Sequence, residues 1–262
     1  MSATPSTLLQ AVTEVARLSG GAALRHFHPG IAVETKRDGT PVTVADREAE
    51  AVARAWIESR FPDDGILGEE FGEARPDAAR RWILDPIDGT KSFIRGVPLW
   101  GTLIAVAEGD RVLAGAAHFP ALDEHVAAAA GEGCWWNGVR CRVSDVATLA
   151  EATVLATDER FRSAPDRQRD WLRLVAQSGL SRTWGDCYGF ILVATGRAEA
   201  MIEGRLAAWD LAPFQPIIEE AGGSLTDWDG RATVFGGSAI ATNAALAREV
   251  RAVLADGAGV PR

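Results

Sequence analysis

Apolar residues recur along this chain at two periods. From Thr7 to His28, Leu8, Val12, Val15, Ala16 and Ala23 fall at helical spacing. From about Asp46 to Arg60, Ala49, Val52, Ala53, Trp56 and Ile57 form a second stripe of period 3.6. Between them, Gly30 to Thr40 reads as a short strand and a polar turn, and Pro62-Asp63-Asp64-Gly65 stops the second helix. Short apolar runs follow at Ile66-Leu67-Gly68 and Trp82-Ile83-Leu84. Leu99 to Ala107, Arg111 to Phe119 and Glu124 to Ala130 then predict successive antiparallel strands, with turns at Gly109-Asp110 and Asn137-Gly138. The second half alternates. Strands are predicted at Thr153 to Thr157, Ser181 to Trp184 and Ala198 to Ile202. Helices are predicted at Asp166 to Ser178, Cys187 to Ala194 and about Asp210 to Glu220, and Asn243 caps a last helix ending near Ala255. Pro213 is tolerable in a first helical turn, whereas Pro216 invites a kink. The pattern predicts a mixed α/β chain with sheets covered by helices. It divides loosely near Ala150, into an antiparallel region, 1–150, and an alternating one, 151–262.

Charge narrows the partners. The chain has 262 residues and a net charge of −9, so its surface repels nucleic acid and anionic lipid. No stretch is long and apolar enough to span a membrane, and Met1 to Gln10 lacks the features of a secretory signal. Three cysteines, Cys134, Cys141 and Cys187, form no CxxC pair, which argues against a disulfide framework or a structural zinc site. A cytoplasmic, reducing setting is the simplest reading.

Carboxylates stand where apolar runs stop. Glu69-Glu70 follows Ile66-Leu67-Gly68, Asp85 and Asp88 follow Trp82-Ile83-Leu84, Asp210 follows Trp209, and Asp46 follows Val42-Thr43-Val44. Strand ends and helix starts are where α/β proteins build sites. Pro86 is expected to break the strand and bend the chain, bringing Asp85 and Asp88 to one side with the Ile87 carbonyl between them. That set of hard oxygen donors suits Mg2+, and the lack of histidine or cysteine makes zinc a poor fit. Gly89-Thr90 adds a close backbone approach and a hydroxyl for an anion. Acids for metal beside donors for phosphate are what metal-assisted hydrolysis of a phosphate ester requires. Taken singly, Asp46, Glu69 and Asp210 also read as turn or N-cap residues.

In this combination the residues resemble the inositol monophosphatase superfamily. Gly68-Glu69-Glu70, Trp82 to Thr90, Trp209-Asp210 with Glu220-Ala221-Gly222-Gly223, and Pro41 to Asp46 carry the likeness in order, from about residue 8 to 255. The resemblance implies a layered α-β-α-β-α sandwich, a homodimer and two to three Mg2+ ions. Glu69, Asp85 and the Ile87 carbonyl resemble ligands of a first metal; Asp85, Asp88 and Asp210 resemble those of a second. Gly89 and Thr90 resemble the phosphate cradle, and Asp46 and Thr90 the pair that orients an attacking water. Direct in-line displacement on a small phosphate monoester is the implied reaction.

The segment Arg182-Thr183-Trp184-Gly185-Asp186-Cys187-Tyr188-Gly189 resembles the histidinol-phosphate phosphatase branch of that superfamily. The substrate of that branch carries an ammonium and an imidazole, so Asp186 could pair with the cation and Glu203 could assist. Arg182 would complete the pocket or hold Asp186 across the dimer. Asp186 also reads as an N-cap of the helix at Cys187, and Arg182 as a surface residue. Lys36 and Lys91, the two lysines of the chain, flank motifs. An inositol or general sugar-phosphate phosphatase, or a non-catalytic relative, remains open on these residues.

Overall fold

The computed structural model describes residues 4–28, 30–36 and 39–255. The Arg37-Asp38 part of the expected polar turn lies outside them. In chain order, helix α1 (Pro5–Leu24) leads to the hairpin β1 (Glu34–Thr35) and β2 (Pro41–Val42), then α2 (Val44–Arg60). Next come β3 (Gly65–Gly68), β4 (Gly72–Ala74), β5 (Arg80–Asp88), the short α3 (Thr90–Phe93), β6 (Gly101–Glu108), β7 (Arg111–Phe119), β8 (Glu124–Ala129), β9 (Gly133–Trp136) and β10 (Val139–Arg140). The rest comprises β11 (Thr153–Leu155), α4 (Gln168–Gln177), β12 (Leu180–Arg182), α5 (Cys187–Ala194), β13 (Ala200–Glu203), α6 (Ala208–Leu211), α7 (Phe214–Glu220), β14 (Ser224–Thr226), β15 (Ala239–Thr242) and α8 (Ala247–Ala255).

Two sheets organise these elements. An eight-stranded sheet runs β10-β9-β8-β7-β6-β5-β3-β4, antiparallel except where β3 pairs with β5. A five-stranded sheet runs β12-β11-β13-β15-β14, with β11 parallel to both its neighbours. Strand side chains alternate between faces, and that alternation makes the layers. On β5 and β6, Trp82, Leu84, Ile104 and Val106 meet Leu8, Val12 and Val15 of α1 and Ile57 of α2. Their neighbours Ile83, Leu103 and Ala105 turn the other way, onto Phe190 of α5 and Phe214 and Ile217 of α7. The same inner core takes Leu155, Met201 and Ala241 from the second sheet. Val154, Ala200, Ile202 and Ile240 face outward onto Trp171 and Leu174 of α4 and Val250 of α8. The result is the layered α-β-α-β-α sandwich. Each large side chain fully removed from water here contributes about 1.5–3 kcal/mol.

Two expectations need correction. Pro86 does not end its strand: β5 continues to Asp88. Asp85 pairs with Leu103 and Asp88 with Gly101, so Pro86 and Ile87 together oppose Thr102. This is a one-residue bulge, a position where a missing N–H costs no ladder bond. Thr102 Oγ1 donates to the Pro86 carbonyl at 2.8 Å. The helix expected from Asp210 to Glu220 is two helices, α6 and α7, parted at Ala212-Pro213. The break puts Pro216 in the first turn of α7, where it removes no helical hydrogen bond. The junction packs tightly on β7, since a Cβ on Gly115 would lie 2.3 Å from the Pro213 carbonyl oxygen.

Candidate active site

The bulge decides which way the acids of β5 point. Without the bulge, Asp85 and Asp88, three positions apart, would face opposite sides of the sheet. With it, one carboxylate oxygen from each of Asp85, Asp88 and Asp210 lies within 4.8 Å of the other two. Asp85 is buried, and its Oδ1 accepts from the Ile87 N–H at 3.0 Å. Asp210 arrives from α6, where its Oδ2 accepts from the Ala207 N–H at 2.8 Å. Asp88 Oδ2 accepts from the Cys187 N–H at 2.6 Å, at the start of α5. Glu69 follows β3, and its N–H donates to the Leu84 carbonyl at 3.2 Å, alongside Asp85.

These carboxylates destabilise one another's charge. Burial, then the charges of Glu69, Asp88 and Asp210, push the Asp85 carboxyl well above the usual range. Burial, then Asp186 and Asp210, do the same to Asp88. Asp210 is pushed up to about 6 by burial, against the Ala207 hydrogen bond and with Glu69 adding repulsion. Among the described residues no lysine or arginine forms an ion pair with Asp85, Asp88 or Asp210. Lys36 Nζ instead bonds Glu69 at 2.8 Å and Glu70 at 2.5 Å. Burial lowers the affinity of Lys36 for its proton, but the two carboxylates more than offset this. An all-oxygen donor set with uncompensated negative charge fits a hard divalent cation.

The bulge hands the chain directly to Gly89 and the short helix α3. Gly89 has φ +83° and caps α3. A Cβ there would also crowd the Leu99 carbonyl at 3.0 Å, so the position needs glycine twice over. Thr90 Oγ1 donates to the Ile87 carbonyl at 3.0 Å, so that carbonyl lies beside the threonine. Asp46 is buried in the capping box of α2; its Oδ2 accepts from the Thr43 N–H at 2.8 Å and hydroxyl at 2.7 Å. The capping role is therefore present, and it fixes the carboxylate's orientation. Burial raises the pKa of Asp46, and the charge of Glu69 nearby adds to it.

The second sheet supplies the far wall. Glu203 ends β13, and its Oε1 accepts from the Thr157 N–H at 2.8 Å. The Thr157 hydroxyl accepts from the Asp186 N–H at 2.6 Å, so one residue ties both acids together. Asp186 precedes α5, yet its side chain makes no capping bond. Its backbone sits at φ 48°, ψ −152°, a region nearly reserved for glycine, which costs on the order of 1–3 kcal/mol. The carboxylate lies next to Gly89: a Cβ there would be 3.4 Å from Asp186 Oδ2. Burial raises its pKa, while Lys91 pulls the other way. Glu203 is pushed up to about 7 by burial, against its Thr157 hydrogen bond, and Asp186 and Asp210 add repulsion.

Arg182 is not brought to this cluster within one chain. It is exposed, donates to the Ser181 carbonyl at 2.7 Å, and lies 6.0 Å from the Trp184 ring centre. Two residues with structural claims on the site are silent in the sequence. Thr157 is one. The other is Glu50, fully buried on α2, which accepts from the N–H groups of Glu70 and Phe71 at 2.7 and 3.2 Å and so holds the Glu69-Glu70 turn. Its pairing with Arg54 at helical spacing looks like an ordinary surface bridge in the sequence.

Clustered acids at a bulge, facing a glycine-threonine turn inside a five-layer sandwich, define a phosphoric monoester hydrolase of the metal-assisted class. The chain belongs to the inositol monophosphatase family, whose model matches residues 4–256. It is 42% identical over 251 residues to the histidinol-phosphatase of Chlorobaculum parvum, covering 95% of this chain and 97% of that one. It is 40% identical to the histidinol-phosphatase of Mycobacterium tuberculosis, with 83% and 86% covered. Among solved structures it is similar to the extragenic suppressor protein suhB from Bartonella henselae, with a TM-score of 0.89 and 27% identity over 97% of this chain and 99% of that one.

Proposed function

We propose that this chain hydrolyses L-histidinol phosphate to L-histidinol and inorganic phosphate, a step of histidine biosynthesis, with two to three Mg2+ ions. The observation that carries the substrate assignment is the pair of acids Asp186 and Glu203, joined through Thr157 beside the acidic cluster. Both have raised proton affinity, and a cationic ligand is the species that relieves it. The likeness to two histidinol-phosphatases supports the same choice.

In this reading Asp85, Asp88, Asp210, Glu69 and the Ile87 carbonyl hold the metal. Bound there, Mg2+ supplies Lewis acidity toward water and toward the leaving oxygen. Gly89 leaves room for a phosphoryl oxygen to approach the backbone, and Thr90 offers its hydroxyl. Asp46, locked by Thr43, and Thr90 position the attacking water, with Glu69 beside them. Asp186 and Glu203 accept the substrate's ammonium through charge-assisted hydrogen bonds. Positioning and charge neutralisation supply most of the rate. The division of labour follows the two regions, 1–150 for reaction and 151–262 for selection, with Asp210 crossing between them. A homodimer in a cytoplasmic, reducing setting belongs to the same proposal. It gives the exposed Arg182 a partner subunit to face, and it agrees with three free cysteines.

The rival reading, an inositol or broad sugar-phosphate phosphatase, takes its support from the family itself. Asp186→Ala separates the two. Steady-state kinetics should show kcat/KM on L-histidinol phosphate falling about 10- to 100-fold, the worth of a charge-assisted bond. On myo-inositol 1-phosphate the change should stay small. Equal losses on both substrates would remove Asp186 as the selecting residue.

A further inference from the structure

The hairpin β9–β10 carries a feature that the phosphatase reaction does not use. Val139 pairs with Trp136 and Arg140 with Trp135, so the next pair in register is Cys141 opposite Cys134. The Cys141 N–H donates to the Cys134 carbonyl at 3.1 Å, continuing the ladder by one step. The two sulfurs are 3.4 Å apart. We propose that Cys134 and Cys141 form a reversible intramolecular disulfide, a thiol oxidation site on the eight-stranded sheet away from the acidic cluster.

Geometry supports closure without rearrangement of the backbone. Hydrogen-bonded residues directly opposite on antiparallel strands have Cα atoms about 5.5 Å apart, which falls at the common disulfide spacing. The sulfurs need only side-chain rotation to close from 3.4 Å to about 2.05 Å. Both strands are pinned to the end of α7. Glu220 accepts from the N–H groups of Gly131 and Gly133 at 2.7 and 2.8 Å, just before Cys134. The Val143 N–H donates to the Ala221 carbonyl at 3.0 Å, just after Cys141. The Asn137-Gly138 turn closes the other end of the hairpin, with positive φ at both residues.

The two thiols are not equivalent. Cys134 is fully buried, whereas Cys141 is part-exposed. The hydrogen bond shared with Cys134 lowers the pKa of the Cys141 thiol, and the Arg197 guanidinium adds to this against burial. Cys134 is held protonated by its neighbour and by burial. Cys141 is thus the thiol that meets an oxidant, and Cys134 the one that resolves. With a peroxide, the Cys141 thiolate takes one oxygen, giving a sulfenic acid and releasing hydroxide. The Cys134 sulfur then attacks the Cys141 sulfur. The S–S bond forms, the S–O bond breaks, and the thiol proton leaves with the hydroxyl as water. Cys187 has no such partner: it is buried at the start of α5, its sulfur 3.8 Å from the Asp88 carbonyl.

The test is thiol counting on the full chain. Reduced protein is treated with hydrogen peroxide, denatured, alkylated with N-ethylmaleimide and mapped by mass spectrometry. Three labels before oxidation should fall to one, on Cys187, with a cross-linked peptide joining Cys134 to Cys141. Dithiothreitol should restore all three. Retention of three labels would overturn the proposal, and so would Cys141 oxidised to sulfinic acid while Cys134 stays free. In Cys134→Ser, dimedone should trap a sulfenic acid on Cys141. In Cys141→Ser, Cys134 should remain unlabelled by dimedone, and a dimedone adduct there would overturn the order of attack.

Discussion

The two ends of β5 both bury carboxylates, and they treat them oppositely. At the start of the strand, Asp64 is buried against a complete set of donors. Arg80 reaches both its oxygens at 2.8 and 2.9 Å, and Trp82 Nε1 adds a third bond at 2.9 Å. At the far end, Asp85 and Asp88 face Asp210, and no basic side chain among the described residues pairs with any of them. A buried acid with its own cation is part of the scaffold. A group of buried and half-buried acids without one suits a cation from outside. The same strand therefore holds a structural ion pair and a candidate metal site, about one strand length apart, and the bulge at Pro86 marks the change.

The largest effect should come from the far end. Asp85→Asn keeps the shape and removes one charge from the repelling group. Activity should fall by at least about 1,000-fold, or about 4 kcal/mol in the barrier. Urea unfolding of the metal-free variant should show stability equal to or above that of the parent, because repulsion is relieved. A large loss of metal-free stability would make Asp85 a scaffold residue like Asp64. At the near end the signs reverse. Asp64→Ala leaves Arg80 without its partner and should cost about 3 kcal/mol in urea unfolding. The kcat/KM of the folded fraction should stay near the parent value, and a marked drop would erase the distinction between the ends.

Ligand linkage sharpens the same contrast. Mg2+ at 100 times its dissociation constant should stabilise the parent by about 2.7 kcal/mol, read as a rise in the thermal midpoint. EDTA should reverse it. Asp64→Ala should keep the whole increment and Asp85→Asn should lose it. An increment that survives in Asp85→Asn would place the cation elsewhere.

His125 offers a third way of burying a titratable group: neither partner nor ligand, but loss of charge. It lies opposite His118 on β7 and β8, with ring centres 5.5 Å apart. Among the described residues, neither of its ring nitrogens has a hydrogen-bond partner. Burial, then His118 and Arg17, hold its pKa down at about 3. The native imidazole thus stays neutral where the unfolded one begins to protonate, near 6.5. Between those values the unfolded state binds more protons, so stability falls as pH falls, by about 1.4 kcal/mol per unit. Comparing the parent with His125→Phe cancels the opposing contribution of the raised acids. The difference in slope between pH 6 and 4 should be close to that figure, and parallel curves would mean the native imidazole is charged.

Much of this was legible before the fold was known, for a physical reason. Period-bearing segments such as α1 and α2 announced themselves because burial on one face leaves a repeating pattern, and β7 and α5 as unbroken apolar runs. The acids of the far end were legible because charge at the end of an apolar run has few structural uses. What escaped had no such signature. Strands β14 and β15 are short and built of small residues, and they become strands only by pairing with each other and with β13. Pro86 read as a strand end because the bulge that excuses it depends on Thr102, a residue of another strand. Thr157 and Glu50 act through a backbone N–H or hydroxyl at long sequence separation, which no local pattern records. Asp186 was visible as a charge, but its strained backbone and missing cap bond belong to three dimensions.

The far end of β5 is proposed to take Mg2+ and hydrolyse a phosphate monoester of a cationic alcohol. Phosphate release from L-histidinol phosphate and from myo-inositol 1-phosphate, each with Mg2+ and with EDTA, tests it most directly. Turnover should need Mg2+, with kcat/KM at least about tenfold higher on L-histidinol phosphate, the worth of one charge-assisted hydrogen bond. Turnover that persists in EDTA, or no release from either ester with Mg2+ present, would contradict it.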